Sequence, residues 1–211
     1  MNQFTGIQGE CMKEGFRAYI KQELGNDFVL IACGLPATNK TETTEVIAAI
    51  KGYKILRTDL IRRDILKNED IFDEKVASSM DKRKKVYDEM FRQAGEESKK
   101  GKGIILDATF ITQDLRRRAA EVAFKNNRVF VIQQTYCPKA YSLEKISKRT
   151  KENYESNALS PQAYENNEKC LEEVDLDDLK HHFPGLRIIH LLVKTDSDNA
   201  DNWYVIDRKD L

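Results

Sequence analysis

The sequence predicts an α/β fold built on a mostly parallel sheet. Short apolar runs alternate with helix-patterned stretches along nearly the whole chain. The longest of these runs, Phe28–Cys33, is unbroken and is followed directly by Gly34. A strand that apolar needs cover on both faces, which is the condition of strands joined by helical crossovers. The chain has 211 residues, no internal repeat and no low-complexity linker, which fits one domain or one with a small appendage.

The elements follow in order. Phe4, Ile7, Met12, Phe16, Tyr19, Ile20 and Leu24 recur at loosely helical spacing, so a helix is expected over 3–24, ended by Gly25-Asn26. Residues 1–25 are read as an N-terminal helical extension to a domain over 26–211. Phe28–Cys33 is the first strand, and a helix over 40–51 follows. Tyr53–Arg57 reads as the second strand, and a short helix begins near Asp59. A longer helix over 80–100 carries Val86, Met90, Phe91 and Ala94 on one face and is stopped by Gly101-Lys102-Gly103. Ile104–Leu106 is the third strand, a helix spans 112–126, and Arg128–Gln134 is the fourth strand. Helices over 138–155 and 160–182 come next, then the fifth strand, Arg187–Val193. Trp203–Ile206 is a candidate for one more short strand. In such a sheet a ligand sits at the carboxyl ends of the strands, so the loops after Cys33, Arg57, Leu106 and Gln134 are where chemistry is expected.

The loop after the first strand reads Gly34-Leu35-Pro36-Ala37-Thr38-Asn39-Lys40-Thr41. This is the phosphate-binding pattern G-x-x-x-x-G-K-[ST] with Asn39 in place of the second glycine. The pattern works because backbone N–H groups curl around phosphate oxygens at a helix N-terminus. The lysine reaches the outer phosphates, and the threonine hydroxyl is a ligand for Mg²⁺. Asn is the ordinary residue that best tolerates left-handed backbone angles. Its amide is expected to project near the phosphates and to crowd them.

Other candidates gather around that loop. Asp59 follows the second strand, placed to accept a proton from a substrate hydroxyl; a helix N-cap is the competing role. Arg62, three residues on, shares its helix face and suits a substrate anion. Asp107 closes an apolar strand, a position that suits a carboxylate near Mg²⁺, often through water; capping of the next turn is the competing role. Arg116-Arg117-Arg118 spread over about 200° of a helix, so they cannot all face one ligand. Arg116 is the best placed for the crevice, and a solvated face is the alternative. Lys145 and Arg149, four apart, share a helix face that suits a cationic lid, about 140–160, over a transferred phosphoryl group; a solvated face is again the rival. The basic run Lys82–Lys85 reads as surface, and His181-His182 lacks the partners of a metal site.

Charge and cysteines set bounds. Lys plus Arg is 35 and Asp plus Glu is 35. A zero balance argues against a dedicated duplex-DNA binder while leaving room for a local basic site. No apolar run approaches the ~18 residues that span a bilayer, and no secretory signal is visible. Cys11, Cys33, Cys137 and Cys170 have no C-x-x-C spacing. They are expected to be buried free thiols, and the chain to be cytoplasmic.

Taken together these segments resemble the P-loop kinases of the AAA-like small-kinase family, near polynucleotide 5′-hydroxyl kinases, gluconate kinases, chloramphenicol phosphotransferase and zeta toxins. The resemblance covers about residues 28–175. It is carried by FVLIACGLPATNKT, KILRTDLIRRDI, VYDEMFRQAGEESKKGKGIILDATF, LRRRAAEVA, VIQQTYCP, LEKISKRT and ESNALSPQAY. It implies a three-layer P-loop sandwich with five strands in the order 2-3-1-4-5. It also implies ATP and Mg²⁺ held by the loop, with Lys40 and Thr41 as the principal contacts. Asp59 falls on the general base or hydroxyl binder, Arg62 beside it on the substrate, Asp107 on the metal side, and Lys145 and Arg149 on the lid pair. The acceptor implied is a small molecule or a nucleic-acid end. The chain is also similar to the kinase-like half of aminoglycoside-phosphotransferase fusion proteins, in which the segment 3–24 would be a remnant of, or linker to, a partner. The family's loop usually reads Gly-Leu-Pro-Gly-Ser-Gly-Lys. Ala37 and Asn39 depart from it, and Lys145 stands where Arg is usual. These departures leave open a nucleotide-binding module without turnover.

Overall fold

A computed structural model describes residues 13–71, 73, 76, 79–150 and 160–211. The centre of the molecule is strand β2 (Phe28–Cys33), in which all six residues are buried. It can be buried on both faces because its two neighbours also pair with it in parallel: β4 (Ile104–Asp107) on one side and β5 (Val129–Tyr136) on the other. Strand β3 (Lys54–Arg57) extends the sheet beyond β4, and β6 (Ile188–Lys194) beyond β5, again in parallel. The expected order of the five parallel strands is therefore the observed one.

Among the described residues the sheet has seven strands, not five. Strand β7 (Tyr204–Asp210) returns antiparallel along β6, and the two-residue β1 (Glu14–Gly15) pairs antiparallel with β7. A short connection can reverse direction and cover the open edge of β6, where a parallel strand needs a long crossover. The reversal is anchored by Trp203, whose ring meets Phe16 edge-on at 5.9 Å between centroids. The Phe16 amide donates to the Trp203 carbonyl at 2.9 Å. Helix α1 (Phe16–Gln22) is thus tied to the sheet, and Phe16, Tyr19, Ile20 and Leu24 lie in its core. Of the helix expected over 3–24, residues 3–12 lie outside the described residues, and Glu14–Gly15 form β1 instead, so the helix begins only at Phe16.

Alternation along β2 sends its side chains into two cores. Phe28 and Leu30 pack with α1 and with Ile47 of α2 (Lys40–Lys51). Val29, Ile31 and Cys33 pack with α3 (Thr58–Ile65), α4 (Met80–Ser98) and α5 (Gln113–Lys125). The result is a three-layer sandwich. Helix α6 (Lys139–Ser147) and helix α7 (Pro161–Cys170) make a small apolar contact of their own with the loop: Ile146 and Tyr164 meet Ala37.

Two helical expectations are corrected. The stretch 160–182 is two helices, α7 and α8 (Leu176–His182), interrupted at 171–175. The helix expected over 138–155 ends at Ser147, and residues 151–159, which include Ser156-Asn157-Ala158 and part of the expected lid, lie outside the described residues. Cys33 and Cys137 are buried free thiols as expected, but Cys170, at the end of α7, is exposed; Cys11 lies outside the described residues.

His190 in β6 places Nε2 2.9 Å from Gln134 Oε1, the geometry of an N–H donating to the amide oxygen. Burial, reinforced by the positive charges of Lys209 and Arg116, pushes its pKa down to about 4. The unfolded imidazole titrates near 6.5. As pH falls from 6.5 to 4, the unfolded chain therefore takes up a proton that the folded chain refuses, and stability falls through that window. Urea unfolding should show about 2–3 kcal/mol of acid-dependent loss there, and His190→Gln should remove most of it. An unchanged pH profile in the variant would mean that other groups set the acid limit.

Candidate functional site

The carboxyl ends of β2, β4 and β3 meet in one place. Register pairs Ala32 with Asp107, and Asp107 with Arg57. The Gly34 amide donates to the Thr109 carbonyl at 3.1 Å, joining the loop after β2 to the loop after β4. The loop then climbs into α2, which begins at Lys40 as expected.

Gly34 is required on two counts. Its φ is +142°, and a Cβ there would sit 2.7 Å from Thr135 Oγ1 and 3.0 Å from the Thr135 carbonyl oxygen. Further on, Ala37 has φ 59° and Asn39 φ 58°, both left-handed. These are the two positions at which the sequence departs from glycine, so the loop keeps the glycine-type backbone without the glycines. Thr38 is pinned through its hydroxyl, which donates to the Leu35 carbonyl at 2.8 Å and lies 2.6 Å from Thr135 Oγ1. Asn39 contradicts expectation. Its amide is 2% exposed and points to the segment after β6, where Nδ2 donates to the Thr195 carbonyl at 2.7 Å.

Lys40 is buried, and its ammonium donates to the Leu35 carbonyl at 2.5 Å. Burial lowers its pKa, and the Asp107 carboxylate opposes that shift. Asp107 is buried too. Burial raises its pKa, while a hydrogen bond from Thr41 and the charges of Lys40 and Arg57 pull it back. Arg57 Nε lies 3.6 Å from Asp107 Oδ2, and its Nη2 lies 2.5 Å from Glu45 Oε1. Thr41 and Asp107 thus offer a hydroxyl and a carboxylate side by side. Hard oxygen donors few in number suit Mg²⁺, which keeps waters and phosphate oxygens for its remaining positions. Among the described residues there is no group of three or more His, Cys, Asp or Glu that could hold a metal by itself.

The lid pair separates. Arg149 lies beyond the end of α6, its amide bonded to the Ile146 carbonyl at 3.0 Å. Its positive charge acts on Lys40, so it is on the side of the buried lysine. Lys145 faces elsewhere: its ammonium donates to Asn39 Oδ1 and lies 3.3 Å from Glu42 Oε1 and 3.3 Å from Asp198 Oδ1.

On the opposite side of the crevice, Asp59 sits in the first turn of α3. The N-cap of that helix is Arg57, with no side-chain cap bond, so Asp59 is not the cap. Arg62 is 8% exposed. Burial lowers its pKa, Asp59 opposes that, and Arg83 adds to it. Arg83 Nη2 donates to Thr109 Oγ1 at 3.3 Å, and the Tyr87 hydroxyl lies 3.5 Å from the same oxygen. Sequence reading placed Arg83 in a surface run and passed over Tyr87. The available signal was spacing: the two are four apart on a helix, one turn of the same face.

Arg116 is a correction. It is fully buried and does not face the crevice. Its guanidinium donates to the carbonyls of Glu173 at 2.8 Å, Glu172 at 2.7 Å and Ile111 at 3.3 Å. Gln113 Nε2 joins it by donating to the Asp175 carbonyl at 2.7 Å. These bonds hold the break between α7 and α8. Arg117 pairs with Asp178 instead, and Arg118 with Asp88. Arg116→Met should therefore cost about 3–5 kcal/mol of stability, because several buried carbonyls lose their donor, while ligand affinity of the folded protein stays near wild type. A urea midpoint within error of wild type would return Arg116 to the crevice.

The sequence matches a family model described as an AAA domain over residues 29–168. No curated protein matches it. Among solved structures, a gluconokinase from Sinorhizobium meliloti 1021 superposes with a TM-score of 0.56 at 14% identity, covering 81% of this chain and 84% of that one. A sugar kinase from Janibacter sp. HTCC2649 gives 0.57 at 13%, covering 80% and 86%. Kti12 from Chaetomium thermophilum, solved in complex with ADP-AlF3, gives 0.57 at 15%, covering 82% and 92%. At such identities these structures share the fold with this chain.

Proposed function

The chain belongs to the AAA domain family, and on that premise we propose that it is a Mg²⁺- and ATP-dependent phosphotransferase acting on a hydroxyl of a small molecule or a nucleic-acid end. The observation that carries the reading is the pair of buried charges Lys40 and Asp107, with the half-buried Thr41 hydroxyl beside Asp107 and the Arg149 charge beside Lys40, at the carboxyl ends of β2 and β4. Loop amides and Lys40 would hold the outer phosphates, and Thr41 with Asp107 would hold the metal. Bound Mg·ATP supplies the phosphoryl group and the metal's charge.

The protein's own part is positioning and electrostatics. Lys40 is a desolvated cation, and an arriving polyanion stabilises its charged form against the burial that lowers its pKa. Arg149 adds a second positive charge. Asp59 accepts the acceptor's hydroxyl proton at a carboxylate oxygen. Arg62 and Arg83, with the Asp59 carboxylate acting on Arg62, make the acceptor side cationic, which favours an acceptor carrying an anionic group near its hydroxyl. A sugar acid and a nucleic-acid end both meet that condition. The absence of the usual glycines at Ala37 and Asn39 favours a second reading, a nucleotide-binding module without turnover.

Two measurements test this. Calorimetry with Mg·ATP should show binding by the wild type and weakening by about 10- to 150-fold in Lys40→Ala, the loss of one charge-assisted contact. Equal affinity would sink the phosphate-loop assignment. Transfer from labelled ATP to sugar acids and to 5′-hydroxyl oligonucleotides should drop about 10²–10⁴-fold in Asp59→Asn with nucleotide affinity retained. Binding without transfer to any acceptor would favour the silent module.

A further inference from the structure

Asn39 lies in the left-handed region, with φ 58° and ψ 29°. Asn tolerates that region better than other L-residues but less well than glycine, so local contacts decide how firmly it is held there. Its Nδ2 lies 2.7 Å from the Thr195 carbonyl oxygen and 3.2 Å from that of Ser197. Its two amide hydrogens meet these two carbonyls from a distant part of the chain, and the Tyr141 hydroxyl of α6 is a third, longer acceptor at 3.4 Å. The same segment binds the loop a second time, where Thr195 Oγ1 donates to the Thr38 carbonyl at 2.9 Å. The segment is itself anchored to the core, since Trp203 Nε1 donates to the Ser197 carbonyl at 2.7 Å.

The other end of the amide is also occupied. Asn39 Oδ1 accepts from Lys145, whose ammonium also has carboxylate oxygens of Glu42 and Asp198 at 3.3 Å each. Three oxygens around one ammonium match its three donors, and a planar guanidinium would not reach all three from one position. This gives a use for the lysine in α6 that does not involve phosphate.

We propose that Asn39 and Lys145 are positioning residues: together they form a strut, from α6 through the phosphate loop to the Thr195–Ser197 segment, that holds the loop in its ligand-ready shape. In this chain tertiary hydrogen bonds replace the conformational freedom of glycine. Lys145 serves the strut, and Arg149 alone of the pair serves the phosphoryl side. The proposal rests on the nucleotide-binding reading for its consequence, but not for its geometry.

Two readouts on the full-length chain separate these. Amide hydrogen exchange of residues 37–41 in nucleotide-free protein should be about 10-fold faster or more in Asn39→Gly than in wild type. Asn39→Asp, which keeps size and left-handed tolerance but has no N–H to offer the two carbonyls, should behave likewise. Calorimetry with Mg·ADP should then show about 10-fold weaker binding in Asn39→Gly and in Lys145→Met. The double variant should lose less than the product of the two, because each single change already breaks the strut. Unchanged exchange in both Asn39 variants overturns the proposal, as does Asn39→Gly binding Mg·ADP as tightly as wild type or more so. If wild type does not bind Mg·ADP, the nucleotide reading fails, and the exchange contrast still decides the strut.

Discussion

The loop between β2 and α2 must turn left-handed twice, and the molecule has no glycine at either turn. Ala37 and Asn39 take φ near 59° and 58°, a conformation that is strained for Ala and better tolerated by Asn, and that glycine adopts at no steric cost. Each is secured differently. Ala37 is buried against Ile146 and Tyr164, and its carbonyl accepts from Ser142 Oγ at 3.5 Å. Asn39 is secured by polar bonds to the segment after β6 and to Lys145. The shape of the loop therefore depends on α6, α7 and the edge of the sheet, all distant in sequence. Strain of this kind persists only where the surroundings over-determine it.

The same loop brings buried charges together. Asp107 and Arg57 come from the ends of two adjacent strands, Lys40 from the start of α2, and Glu45 closes the row at the surface. Burial disfavours each charge taken singly: it lowers the pKa of Lys40 and raises that of Asp107. Placed together they moderate one another, and a further anion and cation would fit the arrangement's alternating signs. Across the crevice, Arg62 lies in the opposing fields of Asp59 and Arg83, with Tyr87 and Thr109 supplying neutral hydrogen-bonding groups. The two sides differ in kind. One is oxygen donors around a buried lysine, and the other is guanidinium and hydroxyl groups.

Arg116 illustrates how a buried cation can be purely architectural. Its two terminal nitrogens donate to main-chain carbonyls at 111, 172 and 173 and to Gln113 Oε1. The carbonyls of Glu172 and Glu173 are available to it because the chain between α7 and α8 is not helical. The break in the helix and the burial of the arginine thus require each other. Neither is visible in local sequence, since the residues lie more than fifty positions apart.

The sequence by itself determined the parallel core and the position of the loop. An unbroken apolar run can only be a doubly covered strand, and a G-x-x-x-x-N-K-T stretch after it can only lie at the strand's carboxyl end. It also located Lys40, Thr41, Asp59, Arg62 and Asp107 on that end, because strand ends are local features. Tertiary structure decided the rest. Side-chain direction chose among equally charged neighbours, sending Arg116 inward, Lys145 to Asn39 and Arg83 to Thr109. The apolar stretch at Trp203–Ile206 marked a further strand, but its full length to Asp210, its antiparallel direction and the pairing of β1 with it came from the edge it meets. Whether Asn39 points to the ligand or away from it was likewise settled by two carbonyls some 156 and 158 residues further along the chain, because a hydrogen bond is set by proximity in space and leaves no mark on the spacing of residues in sequence.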